Sequence, residues 1–398
     1  MLTHRQLFFE HVAQTSTDPF AIEIESAEGI YLRGNNGEKY IDLVSGVSVS
    51  NVGHAHPEVV KAVQNQAAKH MHLMVYGEMI QSPQVRYAEL LTSKLAAQLN
   101  TVYYVNSGSE AIEGAMKLAK RATGRSGVVA FRNAYHGGTQ GALSILGDEV
   151  LKNAFRPLLP GITHLNFNVP EELSKIDKTT ACVVVEPVQA EAGIIVPDTS
   201  YMQQLRARCD EVGALLIFDE IQTGFGRTGK LFAHEHYDVV PDIMTIAKSM
   251  GGGMPIGAFV ADKQLMNQLT YNPALGHITT FGGHPVSCAA ALASLEIILR
   301  DELTQRANEV GSIFRQKMKH PRIKNVRGKG LFLAVDLDDV FIPDFMKYAA
   351  ENGIIFDPFL FNPEAFRIAP QLIITNEQAT EIAEKLLGLI DTFVNKHV

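Results

Sequence analysis

Short apolar runs alternate with amphipathic segments along most of the chain, starting near residue 100. Several runs are apolar at consecutive positions, a pattern typical of parallel strands that helices cover on both faces. Segments 110–123 and 199–213 instead place their apolar residues on one helical stripe. The predicted strands are 101–107, 127–133, 181–188, 214–221, 242–248 and 256–262. The alternation predicts a large, doubly wound and mostly parallel α/β domain over residues 49–290.

The pattern of apolar positions changes after about residue 285. Residues 286–318 have the periodicity of one long helix. Beyond it, the expected elements are strands at 331–337, 353–356 and 366–374 and a final helix over 376–395. Thr375 and Gln378 stand at the spacing of a capping box at the start of that last helix. This mixture predicts an α+β domain.

The N-terminal part of the chain belongs with this second domain. Residues 29–43 contain Asn36-Gly37, a pair that favours a tight turn, and therefore predict a hairpin. We expect residues 1–48 and 291–398 to form one smaller α+β domain, interrupted in the sequence by the large one.

Composition narrows the classes of function. The chain has 398 residues, of which 46% are hydrophobic, and a formal net charge of −8, as in ordinary globular proteins. Without a run of Lys and Arg, neither nucleic acid nor an anionic membrane is an expected partner. Cys182, Cys209 and Cys288 are too scattered for a disulfide framework. Residues 1–14 lack a signal-peptide core, and no apolar stretch reaches the ~18–20 residues that span a bilayer, so we expect a cytoplasmic protein.

A glycine-rich segment follows the apolar run that ends near Asp219. Gly224, Gly226 and Gly229 fit the G-x-G-x-x-G pattern of dinucleotide-binding loops. Such a loop needs a helix that opens at its third glycine, and residues 230–242 have no helical periodicity. A dehydrogenase with a nicotinamide cofactor is therefore the least favoured enzyme hypothesis.

Residues 107–111, with the sequence SGSEA, lie between a predicted strand and a predicted helix. Ser107 and Glu110 have the spacing of a capping box, which is a purely structural explanation. The free amide groups of a helix N-terminus with small residues also suit a phosphate group. No G-x-x-x-x-G-K-[ST] motif occurs in the chain, so nucleoside triphosphate chemistry is not expected.

Two charged residues end neighbouring apolar strands. Asp219 ends one, and Lys248 ends the next, three residues before a run of three glycines that allows a flat ligand to approach the backbone. A lysine desolvated in a cleft becomes nucleophilic, as Schiff-base lysines are. A nearby carboxylate can keep a pyridine nitrogen protonated. Together with the phosphate-binding turn, these residues describe a site for pyridoxal 5'-phosphate.

Two longer segments carry a family resemblance. FDEIQTGFGRTG (218–229) and AKSMGGGMPIGA (247–258) resemble the class III aminotransferases, which include ornithine, acetylornithine and 4-aminobutyrate aminotransferases. The similarity extends from residue 45 to residue 374. It implies the type I pyridoxal-phosphate transferase fold and ping-pong transfer of an amino group to a 2-oxo acid, 2-oxoglutarate being the expected acceptor.

The resemblance also implies the cofactor contacts. Lys248 binds the cofactor aldehyde and moves the substrate proton, Asp219 pairs with the pyridine nitrogen, and Gln222 hydrogen-bonds the ring oxygen. The phosphate and the ring are expected to contact Ser107, Gly108, Ser109, Tyr135, His136 and Glu186. No metal is expected, because neither His54-Ala-His56 nor His234-Glu-His236 has a ligand spacing that suits one.

Substrate and partner contacts follow from the same resemblance. Arg367 matches the arginine that binds the α-carboxylate of glutamate or 2-oxoglutarate, and Glu191 matches the glutamate that pairs with it when another substrate enters. Thr280 matches a residue that reaches the cofactor phosphate of the neighbouring subunit. A homodimer with shared active sites is therefore expected, binding a small-molecule amino donor and a 2-oxo acid.

One position departs from the family pattern. Ornithine and acetylornithine aminotransferases carry an arginine directly after the His-Gly or Trp-Gly pair, and this chain has Gly138 there. The departure disfavours those two donors and favours other ω-amines, diamines or amino acids with an apolar distal part. An aminomutase or another pyridoxal-phosphate reaction, and a non-catalytic ligand-binding relative, are the alternative hypotheses.

Overall fold

A computed structural model describes residues 2–35, 37–75 and 77–397. The strands of this part of the chain are β1 (Ile24–Glu28), β2 (Tyr31–Gly34), β3 (Lys39–Asp42), β4 (Thr101–Val105), β5 (Gly127–Phe131), β6 (Ile162–Leu165), β7 (Thr180–Val185), β8 (Leu215–Asp219), β9 (Ile243–Ile246), β10 (Gly257–Ala261), β11 (Ile323–Lys329), β12 (Phe332–Leu337), β13 (Ile354–Ile355) and β14 (Ala365–Ile368). The α-helices are α1 (His4–His11), α2 (Ser45–Ser48), α3 (Pro57–Lys69), α4 (Ser82–Thr92), α5 (Gly108–Thr123), α6 (Gln140–Ser144), α7 (Thr199–Val212), α8 (Lys263–Met266), α9 (Pro285–Arg300), α10 (Leu303–Lys317), α11 (Ile342–Glu351) and α12 (Asn376–His397). None of the described helices is both long enough and apolar enough to cross a membrane.

The central sheet has seven strands in the order β4-β10-β9-β8-β7-β5-β6. Neighbouring strands from β9 to β6 run parallel, and β10 pairs antiparallel with both β4 and β9. All six predicted strands of the large domain lie in this sheet, which confirms the doubly wound α/β class. The remaining strand, β6, was not anticipated from the sequence.

Alternating residues of the central strands face opposite layers of helix. Cys182 and Val184 of β7 pack in the cluster that includes α5, whereas Val183 and Val185 pack in the cluster that includes α7. Both helices end at a glycine in the left-handed conformation, Gly124 and Gly213, which lets the chain turn back into the sheet. The apolar stripe of each predicted helix is thus its buried face.

Two small sheets lie outside the large one. The predicted hairpin is present, because β2 and β3 pair antiparallel, although Asn36 of its turn lies outside the described residues. The strand β13 pairs parallel with β3 and so joins the N-terminal hairpin to the C-terminal part of the chain. The third sheet has the order β11-β12-β14. The domain boundaries after residues 48 and 290 stay predictions, and the second falls inside α9.

Two elements of the C-terminal part differ from the expectation. The single helix over 286–318 is wrong, because the chain breaks at Glu302, whose φ of 51° is left-handed. The break lets α9 pack on α3 and α4 while α10 packs on α12. The predicted strand 366–374 ends at Ile368, because Pro370 has no N–H to donate and the amide of Leu372 bonds instead to the carbonyl of Asn51 at 2.8 Å.

Arg227, in the glycine-rich loop after β8, connects distant parts of the chain. Its guanidinium is fully buried and donates to the carbonyls of Leu331 at 3.0 Å and Pro370 at 2.6 Å. It also donates to Ser45 Oγ at 3.3 Å and to Asn51 Oδ1. One side chain therefore links the loop to the N-terminal and C-terminal segments.

We expect Arg227→Met to lower the free energy of unfolding by about 3–5 kcal/mol, because it leaves several buried oxygens without a donor. Thermal and urea unfolding of the purified protein measure the loss. Arg322→Met is the matched control, since Arg322 pairs with Asp339 at the surface, and it should change stability by less than about 1 kcal/mol. Equal losses in the two variants would contradict the role of Arg227.

Candidate active site

The predicted site residues converge at the carboxyl edge of the parallel strands, where ligands bind in open α/β sheets. Glu186 follows β7 directly, Asp219 ends β8, and Lys248 comes two residues after β9. They line one cavity of about 460 Å³. The other predicted cofactor contacts that line it are Ser107, Gly108, Ser109, Tyr135, His136 and Gln222. Three predicted site residues do not line this cavity: the cofactor contact Thr280, which is exposed, and the substrate contacts Glu191 and Arg367.

The backbone at Lys248 is held in the left-handed region, with φ of 50°, at the start of a 3₁₀ turn. Its Nζ donates a hydrogen bond to Gln222 Oε1 at 2.9 Å. Burial lowers the pKa of the Lys248 amine, and the charge of Arg367 acts in the same direction, although the carboxylates of Glu191 and Asp219 oppose it. Lowering the pKa raises the share of neutral amine, which is the form that acts as a nucleophile or base.

Asp219 forms a buried pair with His136. The distance between Asp219 Oδ2 and His136 Nδ1 is 2.7 Å, and Asp219 Oδ1 accepts from the amide of Ile221 at 3.0 Å. Burial acts to lower the pKa of His136, but the hydrogen bond and the charge of Asp219 outweigh it, so the pKa is raised. His136 therefore orients the carboxylate that faces the cavity.

Glu186 is buried beneath the cavity. Its carboxyl group accepts from the amides of Tyr135 at 3.3 Å and Ala190 at 3.1 Å. Burial raises the pKa of Glu186 to about 8, so most of this group is protonated at neutral pH. It adds little negative charge to the site and anchors the segment that leads to Glu191.

The helix α5 points its N-terminus at the cavity. Ser107 Oγ accepts from the amide of Glu110 at 3.2 Å, but the Glu110 carboxylate bonds to the amide of Asn106 at 2.7 Å. Only half of the predicted capping box is therefore formed. The amides of Gly108 and Ser109 lie in the first turn, which has no intrahelical acceptor, and so suit an anion.

Near the N-terminus of α5, two glycines allow the segments that line the cavity to pack closely. A Cβ on Gly108 would lie 2.8 Å from Ile221 Cδ1, and one on Gly137 would lie 2.4 Å from Ser109 Oγ. At Gly138, in contrast, a Cβ would meet nothing within 4 Å. Close packing therefore requires a glycine at positions 108 and 137. Gly138, which lines the cavity, has open space around it and is not required by packing.

Arg367 is buried in β14 between two acidic side chains. Its Nη2 lies 2.7 Å from Glu191 Oε1, and its Nη1 lies 3.5 Å from Asp357 Oδ2. The guanidinium carbon also lies 4.7 Å from the centre of the Phe359 ring. Arg367 and Glu191, which the resemblance expects to pair with each other, are therefore in contact.

Asp357 was missed by the sequence analysis. The available signal was an acidic residue directly after the predicted strand 353–356, the same kind of position that singled out Asp219. Burial raises the pKa of Asp357 to about 6, while the charge of Arg367 lowers it and that of Glu191 raises it.

The glycines of the loop after β8 have a structural explanation. Cβ atoms on Gly226 and Gly229 would collide with Leu372 and Asn308, so these glycines allow close packing with the C-terminal segments. No α-helix begins at Gly229, only a short 3₁₀ turn from Ala233, so the loop lacks the helix of a dinucleotide site.

The comparison with known proteins agrees with this geometry. The sequence model of the family Aminotransferase class-III matches residues 12–390. Acetylornithine aminotransferase of Methanosarcina mazei is 40% identical over 370 residues, covering 91% of this chain and 90% of that protein.

Solved structures that are similar to this chain are also those of aminotransferases. A transaminase from the marine bacterium Virgibacillus has a TM-score of 0.93 at 26% identity, covering 99% of both chains. Ornithine aminotransferase from Toxoplasma gondii has a TM-score of 0.90 at 30% identity, covering 98% of this chain and 93% of that one. Its structure is described as having partial occupancy of PLP (pyridoxal phosphate) at the active site. The expected type I pyridoxal-phosphate fold is confirmed, and the chain belongs to the class III aminotransferases.

Proposed function

We propose that this aminotransferase moves amino groups from an amine or amino acid to a 2-oxo acid with pyridoxal 5'-phosphate bound in the cavity described above. The observation that carries the proposal is that Lys248, Asp219 and the N-terminus of α5 line one cavity of about 460 Å³. When bound, the cofactor supplies a pyridine ring that withdraws electrons from the substrate carbon that loses its proton.

The polar groups of the cavity fit that cofactor. The Nε2 atoms of Gln222 and His136 are buried and have no hydrogen-bond partner among the residues that the structure describes. Such atoms are rare without a bound partner. Gln222 is suited to hydrogen-bond a ring oxygen, Asp219 to hold a proton on the ring nitrogen, and the first turn of α5 to bind the phosphate.

In this proposal Lys248 moves the substrate proton. Its lowered pKa favours a neutral Nζ that accepts a proton from the substrate carbon and then returns it. Gln222 Oε1, which accepts from Nζ at 2.9 Å, orients the amine. Tyr135 lines the cavity and is suited to cover the ring and limit the entry of water.

The role proposed for Arg367 is to bind the α-carboxylate of the 2-oxo acid, with 2-oxoglutarate as the acceptor. The planar guanidinium makes a bidentate contact with a carboxylate, which a lysine cannot do. Glu191, at 2.7 Å, neutralises Arg367 when the substrate has no carboxylate there, and rotates away when it has one.

The donor pocket of this chain has open space at Gly138, where a side chain would meet nothing within 4 Å. The cavity is lined in part by the apolar residues Val49, Met254 and Ile256, and none of its described lining residues is an arginine. We therefore propose donors with an uncharged distal part. The acetylornithine aminotransferases among the relatives are named for a donor whose distal carboxylate would find no arginine at Gly138.

We further propose a homodimer in which Thr280 reaches the neighbouring cofactor site. Exposed apolar side chains cluster in two segments beside it: Met71, Leu73, Met74, Met79, Ile80, Tyr271, Leu275, Ile278 and Phe281. Ile80 is 95% exposed, which is unusual for a large apolar residue that no partner covers. The free, buried Cys182, Cys209 and Cys288 are consistent with the proposed cytoplasmic location.

The role of Lys248 is tested with Lys248→Ala. Borohydride treatment of the holoenzyme should attach the cofactor permanently to the peptide that contains Lys248, which mass spectrometry detects. The variant should lose this attachment and at least about 10²-fold in kcat, because proton transfer loses its base. Lys263→Ala, an exposed lysine, is the control and should behave as the wild type. A variant that still attached the cofactor would refute the assignment.

The absence of an arginine from the donor pocket is tested with Gly138→Arg, for which the backbone has room. We expect kcat/KM for 2-oxoglutarate to rise about tenfold, since one charged hydrogen bond contributes about 1.5 kcal/mol. Gly138→Met has a comparable unbranched side chain without the charge and should give no gain. An equal gain in both variants would mean that filling the space, rather than charge, limits this substrate.

The dimer is tested with Ile80→Glu and light scattering. We expect two chains per particle in the wild type and one in the variant, together with weaker cofactor binding, because a buried charge at an interface is costly. Phe341→Glu, a change at a residue that is 65% exposed, serves as the control and should leave the dimer intact. A monomeric wild-type holoenzyme would contradict shared active sites.

A further inference from the structure

Arg367 has more negative charge around it than a carboxylate-binding arginine requires. Glu191 and Asp357 both contact its guanidinium, at 2.7 Å and 3.5 Å, and Arg367 itself is 1% exposed. Its Nε and Nη1 atoms have no hydrogen-bond partner among the described residues. A substrate carboxylate that bonds to these atoms must enter a site that already holds two acidic groups.

The two acidic residues differ in how they are held. The backbone amide of Arg367 donates to the carbonyl of Asp357 at 3.0 Å, and the next residue, Pro358, forms a bridge with Phe366. The backbone of Asp357 is therefore paired with the strand that carries Arg367. The backbone of Glu191 is also held, because its carbonyl accepts from the amide of Phe361 at 3.0 Å. The difference lies in the side chains: Glu191 has one more rotatable bond, which lets its carboxylate swing away from Arg367, whereas the shorter side chain of Asp357 keeps its carboxylate close to the strand that carries Arg367.

We propose that Asp357 is a fixed second counter-ion of Arg367, and that a substrate carboxylate binds Arg367 only when Asp357 takes up a proton. This inference depends on the role proposed above for Arg367. Asp357 acts through Arg367 and sets the preference between substrates that have a carboxylate at this position and those that do not.

The electrostatics support proton uptake. Two carboxylates on one guanidinium repel each other, and a proton on one of them removes the repulsion. Asp357 Oδ1 is buried with no partner among the described residues, so apart from the charge of Arg367 the carboxylate gains little from its neighbours beyond a hydrogen bond from its own backbone amide. The charged groups that act on Asp357 are Arg367 on β14, Glu191 after β7 and Lys248 after β9.

The affinity of Arg367 for a substrate carboxylate should fall as the pH rises. Burial raises the pKa of Asp357 to about 6. Below that pH the residue is already protonated, and a carboxylate binds without a further proton. Above it, each binding event needs one proton, so the affinity for carboxylates falls by up to about tenfold per pH unit. A primary amine without a carboxylate leaves both counter-ions in place and is not affected.

The test is calorimetric titration of the holoenzyme with glutarate, an unreactive dicarboxylate, at pH 7.5 in two buffers of different ionisation enthalpy. We expect the wild type to take up close to one proton for each glutarate bound. Asp357→Asn should take up none and should bind glutarate about tenfold more tightly at this pH. Glu191→Gln should still take up the proton, because Asp357 remains.

Asp339→Asn is the control, since Asp339 is a surface carboxylate that pairs with Arg322; it should keep the wild-type proton uptake. In steady state, Asp357→Asn should lower KM for 2-oxoglutarate and leave KM for butylamine unchanged, a split that general damage to the fold would not produce. A wild type that takes up no proton above pH 7 would overturn the inference, even if Asp357→Asn does not fold. Amino transfer without proton uptake would leave the proposed function standing, and proton uptake without transfer would refute that function alone.

Discussion

The buried guanidinium of Arg227 is the contact on which the arrangement of the site depends. It donates to the backbone carbonyls of Leu331 and Pro370 and to the side chains of Ser45 and Asn51. Segments from both ends of the sequence are thereby bound to the loop that follows Asp219. Because a buried cation is costly without acceptors, any displacement of these segments is penalised, and the strand that carries Arg367 keeps its place relative to the cavity.

Within the arrangement that Arg227 stabilises, contacts between neighbouring side chains set the chemistry of the site. His136 holds Asp219, Gln222 accepts from Lys248, and Glu191 and Asp357 flank Arg367. For His136, Lys248 and Asp357, burial acts against the charged form, and neighbouring charges oppose or reinforce it. The lowered pKa of Lys248 and the raised pKa of Asp357 therefore arise from one cause, burial, acting on charges of opposite sign.

The sequence-based predictions succeeded where a local pattern and the burial it implies coincide. The inner strands of the central sheet are buried on both faces, and their places along the chain, though not their order in the sheet, follow from that pattern. The predictions were wrong at Glu302 and beyond Ile368. At Glu302 nothing in the periodicity marks a break, and the packing of α10 on α12 decided it. Beyond Ile368 the local signal was Pro370, and residues 369–374 bond instead to the N-terminal segment.

The sequence by itself determined the fold class, the family resemblance and the places of Asp219 and Lys248 at strand ends, because each rests on a pattern within a short stretch of chain: alternating apolar and amphipathic segments, two motifs, and a charged residue at the end of an apolar run. Only the tertiary structure decided that His136 pairs with Asp219, 83 residues away, and that Asp357 stands beside Arg367. Such pairs depend on which strand ends and loops the topology brings within hydrogen-bond distance. No periodicity along the chain encodes that distance, because it is set by packing between segments that are remote in sequence.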